Sequence, residues 1–265
     1  QVPVLINYSV GKKRYEKVPD VEDLAIIQKI AQLDIPYPFP NDKMPKGFNT
    51  EQPKVSHGLT HVHHFYSKRN LLVSSCLIEL IRKADVVFRP HLYGIFITIN
   101  NYINKKQSYK GGGGGVSGTL YVSSLVMEKN IISVFNRKVN NIVFIKIDEK
   151  RKNLISTQSS TDYKSLNSIV DYIFVDPPIG GNLMYSELNV VWESWLSILT
   201  NNKPEAIINK SQRKKLSDYL ELMVSCYKEF FRVLKHGKWI TTEFHNSQNI
   251  VWNSIQEALI QAGFM

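Results

Sequence analysis

Cysteine is scarce in this sequence, with only Cys76 and Cys226 among 265 residues. Neither has a second cysteine near it along the chain, which argues against a disulfide framework and against a cysteine-based metal clip. Long hydrophobic runs are also missing, since no stretch approaches the roughly 20 apolar residues of a membrane span. The first residues lack the basic region and apolar run of a signal peptide. These absences predict a cytoplasmic protein that has no membrane partner.

Acidic residues are outnumbered by basic ones. The 33 Lys and Arg against 23 Asp and Glu give a formal net charge of +10 and a pI near 9.4. This balance favours polyanionic partners, because neutralising phosphates releases their bound counterions. Nucleic acid is therefore the first partner to consider, and a solvated basic surface without a partner is the alternative. The 43% of hydrophobic residues can still bury a sizeable core.

Hydrophobic periodicity divides the chain into two regions. Residues 1–150 predict a mixed, mainly helical region, and residues 151–265 alternate strands with helices as in a doubly wound sheet. We therefore expect an α/β fold, with an incomplete Rossmann-like sheet and an inserted region that contacts DNA. Gly111 to Gly115 indicate either a turn before a strand ending at Ser123 or a disordered linker. The other predicted elements are a loop-rich lead-in over 1–56 with one helix at 21–33, helices at 69–83, 86–102, 129–140, 216–234 and 249–262, and strands at 141–147, 153–156, 171–175 and 239–244.

The most informative string comes directly after the predicted strand at 171–175. It reads Asp176-Pro177-Pro178-Ile179. Open α/β sheets bind their ligands at the carboxyl ends of the strands, so an acid at this position is a candidate for chemistry. Two successive prolines hold the backbone extended and supply no N–H, which leaves carbonyl groups free for a substrate amine. The alternative is a turn that merely ends the strand.

This string resembles the Asp/Asn-Pro-Pro-aromatic motif of S-adenosylmethionine-dependent DNA methyltransferases that modify N6 of adenine or N4 of cytosine. The resemblance implies that the Asp176 side chain and the Pro177 carbonyl accept hydrogen bonds from the exocyclic amine of a flipped base. It also places Pro178 and Ile179 in the catalytic motif. The fourth position is normally an aromatic that stacks on the base, and Ile179 departs from that pattern.

Neighbouring segments extend the resemblance in the same order along the chain. The segments Leu183 to Asn189 and Trp192 to Leu196 resemble the stretch after the motif in a subgroup of methylases from modification and defence loci. Within it, Tyr185 is expected to bind substrate. The turn Leu234 to Ile240 resembles a helix-turn-strand element of the fold. His245 and Asn246 end the next strand and are expected to line the cleft, the competing interpretation being hydrogen bonds from both side chains to backbone.

The cofactor-binding half of the family pattern is largely missing. The resemblance assigns the contact with the cofactor adenine to Asp162 and Thr161, and a further cofactor contact to Asp176. No glycine-rich loop of the Asp-Pro-Phe-x-Gly-x-Gly kind occurs in the sequence. Gln1 is not an initiator methionine, and a helix-capping glycine stands just before Met265, so we expect both ends to cut through a fold. S-adenosylmethionine binding by this chain alone is expected to be weak or absent.

The histidine-rich segment His61 to His64 does not predict a metal site, because no cysteine or carboxylate lies at ligand spacing. The same subgroup has a similar entry to a helix, and Arg69 at its end is expected to contact DNA phosphate, a solvated helix end being the alternative. Four short basic clusters stand at 12–14, 105–106, 150–152 and 213–215. The expected function is methyl transfer to double-stranded DNA, most of all to adenine N6, alongside other restriction-modification or defence components. A non-catalytic DNA-binding module and an RNA base methyltransferase are the alternatives.

Overall fold

The computed structural model describes residues 2–109, 118–142, 154–163 and 167–265. The predicted glycine turn, the basic cluster at 150–152 and most of the predicted strand at 141–147 lie outside these ranges. The described elements are β1 (Ile6–Val10), β2 (Lys13–Lys17), α1 (Val21–Gln32), α2 (Phe48–His57), α3 (Lys68–Lys83), α4 (Arg89–Asn100), α5 (Ile131–Asn140), β3 (Val170–Val175), α6 (Tyr185–Glu193), α7 (Leu216–Val233), β4 (Leu234–Thr242) and α8 (Asn249–Ala262). The chain is thus mixed α/β, as the coarse prediction states.

The described residues form two compact units. The first comprises those within Gln1–Pro40, His63–Gly115 and Ser123–Asn141, and the second those within Asn41–Val62, Val116–Val122 and Ile142–Met265. Two segments that precede the predicted boundary at residue 150 therefore belong with the strands and helices that come after it. In the described part of the chain, no helix has both the length and the apolar character needed to cross a membrane.

The second unit is built on a parallel strand pair. β3 pairs with β4, with Ile173 opposite Ile240 and Val175 opposite Thr242. Because side chains alternate across a strand, Ile173, Val175 and Ile240 share one face, which packs on the buried cluster between α7 and α8. Parallel strands need a crossover connection, supplied here by α6 and α7. The carboxyl ends of β3 and β4 consequently lie side by side.

The first unit is mainly helical. α3 begins where the Ser67 side chain accepts a hydrogen bond from the Asn70 amide at 3.2 Å, as the sequence predicts. The Asn70 side chain then donates to the carbonyl oxygens of Ile103 at 2.8 Å and Lys129 at 3.2 Å. These bonds tie the segments after α4 and before α5 to the start of α3.

Four predicted features of the secondary structure are wrong. Residues 118–123 and 154–159 form neither helix nor strand, and Leu154 and Ile155 are almost fully exposed, so apolar packing does not favour a strand there. Lys235-His236-Gly237 lies inside β4 instead of closing the preceding helix, because α7 passes directly into β4 at Leu234. The lead-in contains a hairpin and α2, which includes Pro53, a residue that normally signals a helix break.

Candidate functional site

The candidate site lies where β3 and β4 end. The Glu243 amide donates to the Val175 carbonyl at 2.9 Å, which continues the pairing just beyond the strands. The Asn246 side chain then donates to the Ile179 carbonyl at 3.0 Å. The residues after β3 and the residues after β4 are therefore joined to each other. Asn246 is partly buried and bonds to backbone, as in the competing interpretation from sequence, and the bond sets its side chain beside the motif.

The backbone of the motif has a second support from α7. The Tyr219 hydroxyl donates to the Pro178 carbonyl at 2.7 Å. Tyr219 is fully buried, and this burial raises its pKa well above the ordinary tyrosine value, so the hydroxyl stays protonated and remains a donor at neutral pH. Pro178 and Ile179 thus have their carbonyl groups engaged by Tyr219 and Asn246. Pro177, which stands between Asp176 and Pro178 in the sequence, is buried.

Asp176 itself is exposed. Within the described residues, its carboxylate has neither a hydrogen bond nor an ion pair. The negative charge of Asp176 acts on Tyr185, the first residue of α6. Tyr185 is 38% exposed. Burial raises the pKa of Tyr185, and the negative charges of Asp176 and Glu205 raise it further. A free carboxylate and an accessible aromatic ring therefore stand on the same edge, a combination that can accept hydrogen bonds from an amine and contact a planar base.

The start of α6 is fixed by Glu205. Its carboxylate accepts from the Ser186 amide at 2.9 Å and from the Ser186 hydroxyl at 2.7 Å. The Gln212 side chain donates to the same carboxylate at 3.0 Å. A carboxylate at a helix amino terminus is favoured by the helix dipole and by the unpaired N–H groups. Glu205 thus holds the helix turn that carries Tyr185.

Glu187, in the first turn of α6, has a structural role. It is only 2% exposed and accepts from the Asn49 amide at 3.0 Å, the Asn49 side chain at 3.2 Å and the Asn209 side chain at 3.1 Å. Its carboxylate sits at the first turn of α2, so close to Gly47 that a Cβ there would lie 2.0 Å from a carboxylate oxygen. The sequence predicts neither this contact nor those of Tyr219 and Glu205. The partners of all three residues are distant along the chain. The one signal in the sequence that could have indicated a contact is a glutamate at an apolar position of the helix pattern.

The glycines after the motif serve packing. Gly180 has φ +70°, and a Cβ on it would lie 3.0 Å from Val251 Cγ1. A Cβ on Gly181 would lie 3.2 Å from the Ile208 carbonyl oxygen. These positions need glycine because protein atoms approach them, so they do not provide a cradle for a cofactor.

Thr161 and Asp162 lie at the other end of the sheet. The adjacent Tyr163 amide donates to Glu229, and the Tyr163 carbonyl accepts from Arg232 at 3.0 Å. Glu229 and Arg232 belong to the last turns of α7, next to the amino ends of β3 and β4. The strand β3 therefore separates the two residues from Asp176. Their position gives no support to a cofactor contact shared with Asp176.

The remaining predicted residues have varied surroundings. His245 is exposed next to Asn246. Arg69 belongs to the first unit and forms an ion pair with Glu128 at 3.0 Å. No group of three or more His, Cys, Asp or Glu side chains in the described ranges is arranged to hold a metal ion.

The basic clusters differ in how much charge they present. Lys105 donates to the His64 carbonyl at 2.7 Å, and Lys106 is 3% exposed, so this pair does not form a basic surface. Burial lowers the pKa of Lys106 to about 8. Lys214 donates to the Asn202 and Glu205 carbonyl oxygens. The cluster at 12–14 is exposed.

Comparisons with known proteins add no identity: no protein-family model, curated protein or solved structure matches the chain.

Proposed function

We propose that this chain carries the amine-binding part of a methyltransferase site that acts on an exocyclic amino group of a DNA base, with adenine N6 as the favoured target. The observation that supports the proposal most directly is the Asp-Pro-Pro sequence at the carboxyl end of β3, beside the end of the parallel strand β4. Ligand sites of α/β folds occur at such strand ends. The proposal includes a Rossmann-like organisation of the larger sheet to which this strand pair would belong.

The proposed chemistry uses two acceptors of the chain. An exocyclic amine donates one hydrogen bond to the Asp176 carboxylate and the other to the Pro177 carbonyl, which increases electron density on the nitrogen that forms the new bond to carbon. The bonds from Tyr219 to Pro178 and from Asn246 to Ile179 hold the backbone, so the acceptors do not have to reorganise when the base arrives.

The base would also need a stacking surface once it leaves the duplex. Ile179 offers dispersion without a π face. The ring of Tyr185 is accessible and lies at the same edge of the sheet. In this proposal it stacks on the base in place of the aromatic residue that the motif usually contains.

S-adenosylmethionine is the methyl donor that the resemblance implies. When bound, it would supply an electrophilic methyl group on a sulfonium: the amine nitrogen would form the new bond to carbon as the carbon–sulfur bond breaks and a neutral thioether leaves. The Asp176 carboxylate, as the hydrogen-bond acceptor of the amine, would take up the proton that the nitrogen loses. To this chain we assign only the groups that bind and orient the amine. Other restriction-modification or defence components are expected partners.

The second candidate is a DNA-binding module without catalysis. Two observations favour it: Ile179 stands at the usual aromatic position, and Gly180 and Gly181 pack against protein atoms. An RNA base methyltransferase shares the acid-Pro-Pro signature and is distinguished by the labelled product.

The test is methyl transfer from labelled S-adenosylmethionine to unmethylated DNA and to RNA, with nucleoside analysis of the products. It uses the chain alone and the chain together with any residues that the gene encodes before Gln1. Asp176→Ala should abolish the label, whereas Asp171→Ala, at the other end of the same strand, should retain it. No label from either form, together with salt-sensitive DNA binding, would establish the binding module instead. Label in RNA alone would establish the RNA enzyme.

A further inference from the structure

The amino-terminal hairpin is a ribbon with little burial. β1 and β2 pair antiparallel from Ile6 opposite Lys17 to Val10 opposite Lys13. Every residue of the ribbon is exposed except Ile6 and Lys17, which are partly buried. The stacked rings of Tyr8 and Tyr15, 5.5 Å apart between centroids, hold the strands together across one face.

The charge of the hairpin is concentrated at its tip. Residues 6–17 contain four cations and one acid, Glu16, which gives a net charge of +3. Lys17 at the base is neutralised by Asp20 at 3.0 Å and Asp23 at 2.7 Å. Lys12, Lys13 and Arg14 surround the turn after Gly11, and no ion pair engages any of the three among the described residues. The tip therefore presents three cations with no protein partner there.

The two faces differ in chemistry because side chains alternate along each strand. Tyr8, Tyr15 and Val10 share one face with Ile6, Lys13 and Lys17. Asn7, Ser9 and Arg14 share the other, together with Glu16. Amide, hydroxyl and guanidinium groups are those that hydrogen-bond to base edges in the major groove of DNA. The ribbon thus combines a polar face with a basic tip.

The dimensions fit duplex DNA. Paired strands lie about 5 Å apart, and a strand of five residues spans roughly 17 Å. The major groove of B-form DNA is about 12 Å wide and admits a two-stranded ribbon, whereas the major groove of A-form RNA is too deep and narrow. Phosphates line both sides of that groove, within reach of lysine and arginine side chains at the tip.

We propose that the β1–β2 hairpin is a DNA-binding arm that lies in the major groove, with Lys12, Lys13 and Arg14 on the phosphates. The choice of duplex DNA as the occupant rests on the proposed function. The arm would anchor the substrate independently of the strand-end site, because its contacts involve phosphates and base edges other than those of the base that reacts.

Fluorescence anisotropy with a labelled 30-base-pair duplex, without cofactor, tests the arm. The triple variant Lys12→Ala, Lys13→Ala and Arg14→Ala should bind at least tenfold more weakly at 100 mM salt. Each lost phosphate contact lowers the slope of log affinity against log salt by about 0.9, so the slope should fall by about 2 to 3. The matched control removes three exposed lysines elsewhere, Lys29, Lys203 and Lys228, and should change affinity by no more than about twofold.

Equal losses in the triple variant and the matched control would overturn the inference. So would equally tight, equally hairpin-dependent binding of an RNA duplex of the same sequence, which would exclude the groove. Hairpin-dependent binding to vesicles of phosphatidylserine and phosphatidylcholine, with none to DNA, would also overturn it. The Asp176→Ala protein should retain hairpin-dependent DNA binding, so a failure of methyl transfer and a failure of the arm are separate results.

Discussion

The bond from Tyr219 to Pro178 gives the sharpest test of how the motif is held. Tyr219→Phe keeps the buried ring and removes only the hydroxyl, which donates to the Pro178 carbonyl at 2.7 Å. Losing such a bond costs about 0.5 to 1.5 kcal/mol, and leaving a buried carbonyl unpaired costs about 1 to 3 kcal/mol. We therefore expect the free energy of unfolding to fall by about 1 to 2 kcal/mol, measured by urea denaturation.

Tyr227 provides the matched control. It is also fully buried on α7, but its hydroxyl bonds to the Thr242 hydroxyl at a longer 3.3 Å and does not contact the motif. Tyr227→Phe should cost about 0.5 to 1 kcal/mol of stability and leave methyl transfer unchanged. Tyr219→Phe should lower kcat/KM for DNA about tenfold, because a small displacement of reacting groups is costly.

Two results would refute this reasoning. An unchanged kcat/KM in Tyr219→Phe, with the stability loss observed, would show that the Pro178 contact does not position the acceptors. Equal rate losses in the two variants would show that general loosening of the core, and not the motif contact, controls the reaction.

Two further predictions concern buried charges. Glu187→Ala should lower the free energy of unfolding by about 3 kcal/mol, since it leaves Asn49 and Asn209 without a charged acceptor. Glu193 is partly exposed and serves as the control: if urea denaturation shows that Glu187→Ala loses no more stability than Glu193→Ala, the prediction is contradicted. Lys106→Met should stabilise the chain at pH 7 by up to about 3 kcal/mol, with the gain lost as pH rises from about 8 toward the unfolded value of 10.5. Between these two pH values Lys106 is less protonated in the native state than in the unfolded state, so the free energy of unfolding of the wild type should rise with pH. A stability difference between wild type and Lys106→Met that does not change with pH would refute the lowered pKa of Lys106.

Local signals in the sequence predict α1, α3, α4, α5, α7, α8 and the strand that carries the motif, whereas they do not predict α2 and α6. Ser67 and the apolar spacing after it indicate α3, and the apolar run before Asp176 indicates β3, because both patterns depend on neighbours within one or two turns. The junction at Leu234 could not be predicted. Lys235-His236-Gly237 has the chemistry of a helix end, yet strand pairing with β3 overrides it.

The contacts of the candidate site are harder to predict than its position. Asp176 and Asn246 could be placed at adjacent strand ends because both come after apolar strands of an alternating fold. The bonds that fix them come from Tyr219, 41 positions after Pro178, and from Asn246, 67 positions after Ile179. Hydrophobic periodicity shows only which face of α7 is buried. It carries no information about which carbonyl the Tyr219 hydroxyl meets, and the same limit applies to Glu187 and Asn49.

The exposure of Asp176 favours the proposed enzyme over the binding module. Packing and hydrogen bonding account for Tyr219, Asn246 and Glu187, whose side chains hold backbone in place in either case. They do not account for Asp176, whose carboxylate makes no hydrogen bond or ion pair with the described residues. On a chain of net charge +10 that we propose binds DNA phosphates, a free carboxylate at the site would weaken binding by repulsion. A module selected for affinity alone would gain from its loss, whereas a reaction that orients an amine requires an acceptor at that position.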